Sequence, residues 1–117
     1  MFSHSKVLIV EDHDQSREAL RKLLSQIGFT VDAAANCAEG LAKLDGQSHL
    51  LLDLNLPDGC GSEIFQRVRE LHKSMKVAII TGEHRSSPSL IEALTLQPDI
   101  VCHKPVDFDK LLRWLKS

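Results

Sequence analysis

The sequence predicts an α/β domain in which helices cover both faces of a buried parallel sheet. Short apolar runs of strand length alternate along the chain with segments whose apolar residues recur every three or four positions. Wholly apolar runs are typical of strands that are buried on both faces. The chain has 117 residues, of which 43% are hydrophobic and 26% charged, as expected for one ordinary globular domain. We therefore expect a single domain over residues 1–117.

The first two strand–helix units follow from apolar runs and capping residues. The first predicted strand is Val7 to Val10, and Asp14 is predicted to cap the helix after it. Apolar residues at helical spacing and a terminating glycine follow, namely Leu20, Leu23, Leu24, Ile27 and Gly28. The second strand is Thr30 to Ala34, after which Asn36 and Glu39 form a capping box. The inward residues of this second helix are Cys37, Leu41 and Leu44.

The third unit has a long predicted loop between its strand and its helix. The strand is Leu50 to Leu52, and Asp53 ends it. The segment from Leu54 to Gly61 is dense in turn residues, which predicts an irregular loop. Ser62 is predicted to cap the next helix. That helix carries, at helical spacing, Ile64, Phe65, Val68, Leu71 and His72.

The last two units follow the same pattern. The fourth strand is Val77 to Ile80, and the polar segment from Gly82 to Ser89 predicts a loop before a short helix from Leu90 to Leu96. The fifth strand is Ile100 to Cys102, and Asp107 is predicted to cap the last helix. The inward residues of this helix are Phe108, Leu111, Leu112 and Leu115.

Two doubly wound architectures have this size. A dinucleotide-binding half would carry G-x-G-x-x-G after its first strand, but an acidic stretch stands there, and no G-x-x-x-x-G-K-[ST] occurs. The remaining choice is a flavodoxin-like (βα)5 three-layer sandwich with strand order 2-1-3-4-5. In that fold, functional sites lie at the carboxyl ends of the strands.

Five chemically active residues lie where these apolar runs stop. Glu11 and Asp12 follow the first strand, Asp53 the third, Thr81 the fourth and Lys104 the fifth. Clustered carboxylates favour a hard cation such as Mg²⁺, which prefers oxygen ligands. A hydroxyl and an ammonium group facing that ion complete a pocket for a transferring phosphoryl group. Asp53 is the candidate attacking carboxylate.

With these residues, the sequence resembles the receiver domain of two-component response regulators over almost its whole length. The resemblance rests on the acidic pair, the stretch from Leu51 to Gly59, Thr81, and Lys104 followed by Pro105. It implies that Asp53 is the phosphoacceptor. It also implies four Mg²⁺ ligands, namely Glu11, Asp12, Asp53 and the backbone carbonyl of Asn55. Thr81 and Lys104 would bind the phosphoryl group.

The resemblance also implies a function and partners. A sensor histidine kinase or a histidine phosphotransfer protein would donate the phosphoryl group, and the charged state would control an output domain or effector protein. The domain would not be an enzyme in the usual sense, although it would assist its own phosphorylation and dephosphorylation. Two alternatives stay open: a pseudo-receiver that serves only as an interaction module, and a phosphatase of the haloacid dehalogenase type. The latter needs a second acid two residues after the nucleophile, where this chain has Asn55.

One departure from the family pattern concerns signalling. Many receivers have Tyr or Phe three residues before the lysine, whereas this chain has Val101. A short side chain that is stiff at χ1 cannot make the large rotamer change of an aromatic ring. This feature favours the pseudo-receiver alternative.

Composition excludes several other classes. The formal net charge is −2 and no run of Lys or Arg occurs, which argues against direct nucleic-acid binding. No apolar stretch is long enough for a membrane span, and we expect a cytoplasmic location. The three cysteines, Cys37, Cys60 and Cys102, form no C-x-x-C pair and are expected to be reduced thiols. His13 is assigned no role in metal binding.

Overall fold

The computed structural model describes residues 5–72, 74–82 and 87–117, with the backbone alone for residues 59 and 60. Seven strands are present in this part of the chain: β1 (Lys6–Val10), β2 (Thr30–Ala34), β3 (His49–Asp53), β4 (Asn55–Leu56), β5 (Gly59–Cys60), β6 (Lys76–Thr81) and β7 (Ile100–His103). The described helices are α1 (Asp14–Ile27), α2 (Cys37–Ala42), α3 (Ser62–Leu71), α4 (Pro88–Leu94) and α5 (Phe108–Lys116). Among the described residues, no helix is both long enough and apolar enough to cross a membrane.

The main sheet confirms the predicted architecture. Its five strands are parallel and run in the order β2-β1-β3-β6-β7, which is 2-1-3-4-5 when only the strands of this sheet are counted. Alternate residues of β1 point into two separate cores. Leu8 and Val10 pack with residues of α2, α3 and α4, whereas Val7 and Ile9 pack with residues of α1 and α5. Helices therefore cover both faces of the sheet, as the apolar runs predicted.

Three of the predicted helix signals are confirmed. Gly28 ends α1 in the left-handed region at φ 118°, which favours glycine. The side chain of Asn36 caps α2 by accepting a hydrogen bond from the amide of Glu39 at 2.9 Å. The side chain of Asp107 caps α5 in the same way, with the amide of Lys110 at 3.2 Å.

Two predicted caps are wrong. The N-cap of α1 is His13, whose ring nitrogen Nδ1 accepts a hydrogen bond from the amide of Ser16 at 3.3 Å. Asp14 is instead the first helical residue and forms an ion pair with Arg17. The N-cap of α3 is Gly61, which has no side chain to make a capping bond, and Ser62 is its buried first residue.

The predicted loop after β3 contains a small antiparallel hairpin. Asn55 pairs with Cys60 and Leu56 with Gly59. The turn residues of this segment agree with the predicted loop. However, Leu54 and Leu56 are buried while Asn55 between them is exposed, and this alternation is typical of a strand.

Other boundaries also differ from the prediction. Helix α4 begins at Pro88 and ends at Leu94, so it lies two residues before the predicted helix. Part of the predicted loop before it, residues 83–86, lies outside the described residues. Leu23 is 43% exposed and Leu71 is 64% exposed, although both share the helical spacing of their buried neighbours. Leu23 lies at the margin of the apolar stripe of α1, and Leu71 is the last residue of α3.

Candidate functional site

The parallel sheet brings four strand ends to one edge. Strand β1 stops just before Glu11, β3 ends at Asp53, β6 ends at Thr81, and β7 ends one residue before Lys104. Because β1, β3, β6 and β7 are consecutive neighbours in the sheet, these residues lie side by side. This is the carboxyl edge at which ligands bind in open α/β sheets.

Three carboxylates converge at this edge, as predicted. One carboxylate oxygen from each of Glu11, Asp12 and Asp53 lies within 4.8 Å of the others. Glu11 and Asp53 are buried, each about 4% exposed, while Asp12 is exposed to solvent. The donor set consists of hard anionic oxygens with one open side, and this fits a divalent cation such as Mg²⁺.

Lys104 supplies the positive charge in this cluster. Its Nζ lies 3.0 Å from Oε1 of Glu11 and 3.1 Å from Oδ2 of Asp53, although the two carboxylates are distant in the chain. Burial tends to lower the pKa of Lys104, but the hydrogen bonds and charges of the two carboxylates outweigh it and raise the pKa above its usual value. The ammonium group therefore stays charged beside Asp53.

The pKa of Glu11 is raised, chiefly because the side chain is buried. Burial, followed by the hydrogen bond to Asp53, raises it to about 7, despite the opposing hydrogen bonds from Lys104 and from the backbone amide of His13. Glu11 lies beside the Asp53 carboxylate, so a bound cation would stabilise the ionised form of both side chains. The close approach of the Glu11, Asp12 and Asp53 carboxylates is thus the feature that favours a metal at this place.

Backbone hydrogen bonds hold the site residues in place. The amide of Asn55 donates to Oδ1 of Asp53 at 3.0 Å, so Asn55 follows Asp53 in a tight turn. The amide of Glu11 donates to the carbonyl of Ala34 at 3.0 Å. Thr81 is buried, and its carbonyl accepts a hydrogen bond from the amide of Lys104 at 2.8 Å. Every residue predicted for the site thus lies at this edge of the sheet.

Two residues at this edge were missed by sequence analysis. Arg17 donates from Nη1 to the carbonyls of Glu11 at 2.9 Å and Asp12 at 3.3 Å, which fixes the acidic turn. Asp58 accepts hydrogen bonds from the first amides of α2. The Arg17 contact spans less than two helical turns. A basic residue shortly after an acidic turn is a local signal that could have predicted it. The Asp58 contact joins segments about twenty residues apart and has none.

The remaining predicted features of the site are found as follows. Val101 is half-buried and packs against the core that contains α3 and α4, with Ile79 opposite it in β6. His13 caps a helix, so its ring nitrogen has a structural partner. Cys37 and Cys102 are buried and form no disulfide, and the side chain of Cys60 lies outside the described part of the chain.

Comparison with known sequences agrees with this geometry. The family model described as "Response regulator receiver domain" matches residues 7–116. The chain is 36% identical over 118 residues to the transcriptional regulatory protein CusR of Escherichia coli K12, covering 96% of this chain and 50% of CusR. It is 37% identical to the probable transcriptional regulatory protein SilR of Salmonella typhimurium, with the same coverage. The chain thus spans about half the length of these curated relatives.

Solved structures show the same fold. A CheY-like receiver domain protein from Methanospirillum hungatei superimposes with a TM-score of 0.88 at 31% identity, covering 96% of this chain and 90% of the other. TrrA from Thermotoga maritima, solved in complex with Mg²⁺ and BeF, gives a TM-score of 0.80 at 28% identity and covers 96% of both chains.

Proposed function

The chain belongs to the family of response regulator receiver domains, and from this premise we propose that Asp53 accepts a phosphoryl group from a phosphohistidine donor. The observation that carries the proposal is the position of the Asp53 carboxylate, which is buried, lies 3.1 Å from the Lys104 ammonium group and is adjacent to two further acids. We further propose that Glu11, Asp12, Asp53 and the backbone carbonyl of Asn55 hold Mg²⁺.

The proposed reaction is a direct displacement at phosphorus. A carboxylate oxygen of Asp53 forms the new O–P bond while the P–N bond to the donor imidazole breaks, and the imidazole leaves with the electron pair. When bound, Mg²⁺ would neutralise negative charge on the phosphoryl oxygens. Lys104 holds a positive charge beside the attacking carboxylate, and the Thr81 hydroxyl would donate to a phosphoryl oxygen.

The chemistry of the site sets the role of the domain. Receiver domains of this family are phosphorylated switches rather than classical enzymes, and we propose that this one assists only its own phosphorylation and dephosphorylation. Asn55 stands where a phosphatase of the haloacid dehalogenase type needs a second acid, which argues against turnover of phosphate esters.

We propose the partners by chemical class. The donor would be a sensor histidine kinase or a histidine phosphotransfer protein, and the target an output domain or effector protein. The curated relatives are about twice as long as this chain, so control of an output domain or effector is proposed and does not follow from the matched half alone. The domain 1–117 itself is proposed to act in the cytoplasm and without direct contact to nucleic acid.

Amide spectra with and without beryllofluoride test whether the domain switches. A true switch shows shifts beyond the pocket, in α4 and β7, and these shifts are lost in Asp53→Asn. Shifts confined to the residues around Asp53 would instead support the pseudo-receiver alternative, which the short side chain of Val101 favours.

A further inference from the structure

The turn between β4 and β5 is attached to helix α2 by one exposed side chain. Oδ1 of Asp58 accepts a hydrogen bond from the amide of Cys37 at 2.7 Å, and Oδ2 accepts one from the amide of Ala38 at 3.1 Å. These amides belong to the first turn of α2, where no partner within the helix exists. The hydrogen bond from Cys37, with further backbone bonds, lowers the pKa of Asp58 from its usual value, so the side chain is a carboxylate at neutral pH.

This attachment joins the two halves of the carboxylate cluster. On one side, the hairpin begins with Asn55, whose amide is bonded to the Asp53 carboxylate. On the other side, α2 begins three residues after Ala34, whose carbonyl holds the amide of Glu11. Asp58 therefore links the segment after Asp53, through α2 and the end of β2, to the backbone of the acidic turn.

We infer that Asp58 is a positioning residue for cation binding at the cluster. The inference rests on the proposed function, because the cation site and the Asn55 carbonyl ligand belong to that proposal. Without the Asp58 bonds, the hairpin would keep its own pairing but lose two hydrogen bonds to α2, and the Asn55 carbonyl would be less well fixed relative to Glu11 and Asp12. Partners that orient metal ligands affect affinity strongly even though they do not touch the metal.

A purely structural role as a helix cap is the competing explanation, and the chain offers a matched control for it. Asn36 also caps α2, through the amide of Glu39, which lies three residues away in the same local segment. Asn36→Ala thus removes a cap from the same helix and leaves the attachment intact.

The test compares Asp58→Ala, Asp58→Asn and Asn36→Ala with the wild type by Mg²⁺ titration followed through amide chemical shifts. We expect Mg²⁺ to bind about tenfold more weakly to Asp58→Ala. Asn36→Ala should bind it as the wild type does, even with a comparable loss of stability in urea. Asp58→Asn keeps one acceptor oxygen, so its Mg²⁺ affinity should lie between those of Asp58→Ala and the wild type. This variant replaces Asp58→Ala in the comparison if the alanine variant does not fold.

Hydrogen exchange provides a second readout that needs no metal. The amides of Asn55 and Gly61, bonded to Asp53 Oδ1 and the Leu54 carbonyl, should exchange faster in the Asp58 variants only. Unchanged Mg²⁺ affinity in the Asp58 variants, or an equal loss in Asn36→Ala, would overturn the inference. These readouts require no phosphorylation, so Mg²⁺ binding without phosphoryl transfer would refute the proposed function alone. A wild type that binds no Mg²⁺ at the acidic turn would overturn both.

Discussion

Replacing Gly61 with alanine is expected to destabilise the protein, because the added methyl group would collide with the backbone of Asp53. A Cβ atom built on Gly61 lies 2.7 Å from the carbonyl oxygen of Asp53 and 3.1 Å from two side-chain carbons of Leu52. The backbone of Gly61 has φ −62° and ψ −10°, which any residue adopts, so the cost is steric and not conformational.

The size of the effect follows from what must move. The carbonyl oxygen belongs to the end of a buried strand and Leu52 is fully buried, so neither can shift without disturbing the core. Overpacking of this kind typically costs about 1–3 kcal/mol of the free energy of unfolding. A shift of the Asp53 backbone would also move the Asp53 carboxylate, so phosphorylation of Asp53 should also slow.

Gly82→Ala is the matched control. It makes the same glycine-to-alanine change directly after β6, the strand next to β3 in the sheet. Among the described residues, the atom nearest to its added Cβ is Cδ of Lys104 at 3.9 Å, which is ordinary contact. Stability should be unchanged or should rise by about 0.4–1 kcal/mol, through the unfolded state. Urea denaturation of both variants and the wild type measures the difference. Equal stability of Gly61→Ala and the wild type would refute the steric argument.

Two further predictions concern charge. Lys104→Met should strengthen Mg²⁺ binding by about three- to tenfold, because an ammonium group 3.0 Å from Glu11 and 3.1 Å from Asp53 competes with the cation; weaker binding in a calorimetric titration would contradict this. Burial, and after it the positive charge of Lys76, lowers the pKa of His49, so the folded state favours the neutral ring. The contribution of this preference to the free energy of unfolding is fully present above the unfolded pKa of about 6.5. It is lost as the pH falls through the lower pKa of the folded state. His49→Gln should therefore show a smaller loss of unfolding free energy between about pH 7.5 and about pH 5.5 than the wild type, and parallel profiles would count against the assignment.

Much of the fold could be predicted because its signals are local. An apolar run such as Val7–Val10 has to be buried on both faces, and Asn36 and Asp107 cap helices with amides three residues away. The errors arose where neighbours in space decide the outcome. Gly61, the N-cap of α3, lies so close to the Asp53 carbonyl that a Cβ atom would collide with it, and Leu56 is buried in a hairpin where a loop was predicted.

The candidate site follows the same division. Parallel strands bring their carboxyl ends to one edge, so strand-end residues such as Asp53 and Lys104 could be placed together from the sequence. The bonds of Asp58 to α2 depend on how the hairpin packs, and nothing near Asp58 in the sequence indicates them. The roles of the site residues in phosphoryl transfer and metal binding stay predictions until they are tested.

The most direct test of the central claim is the intact mass of the protein after incubation with acetyl phosphate and Mg²⁺. We predict that the wild type gains one phosphoryl group, and that the gain is absent from Asp53→Asn and from a wild-type sample containing a chelator. The buried, lysine-paired carboxylate of Asp53 is the reason for this expectation. An adduct that forms equally on Asp53→Asn would contradict the account, because the phosphoryl group would then be carried by another residue.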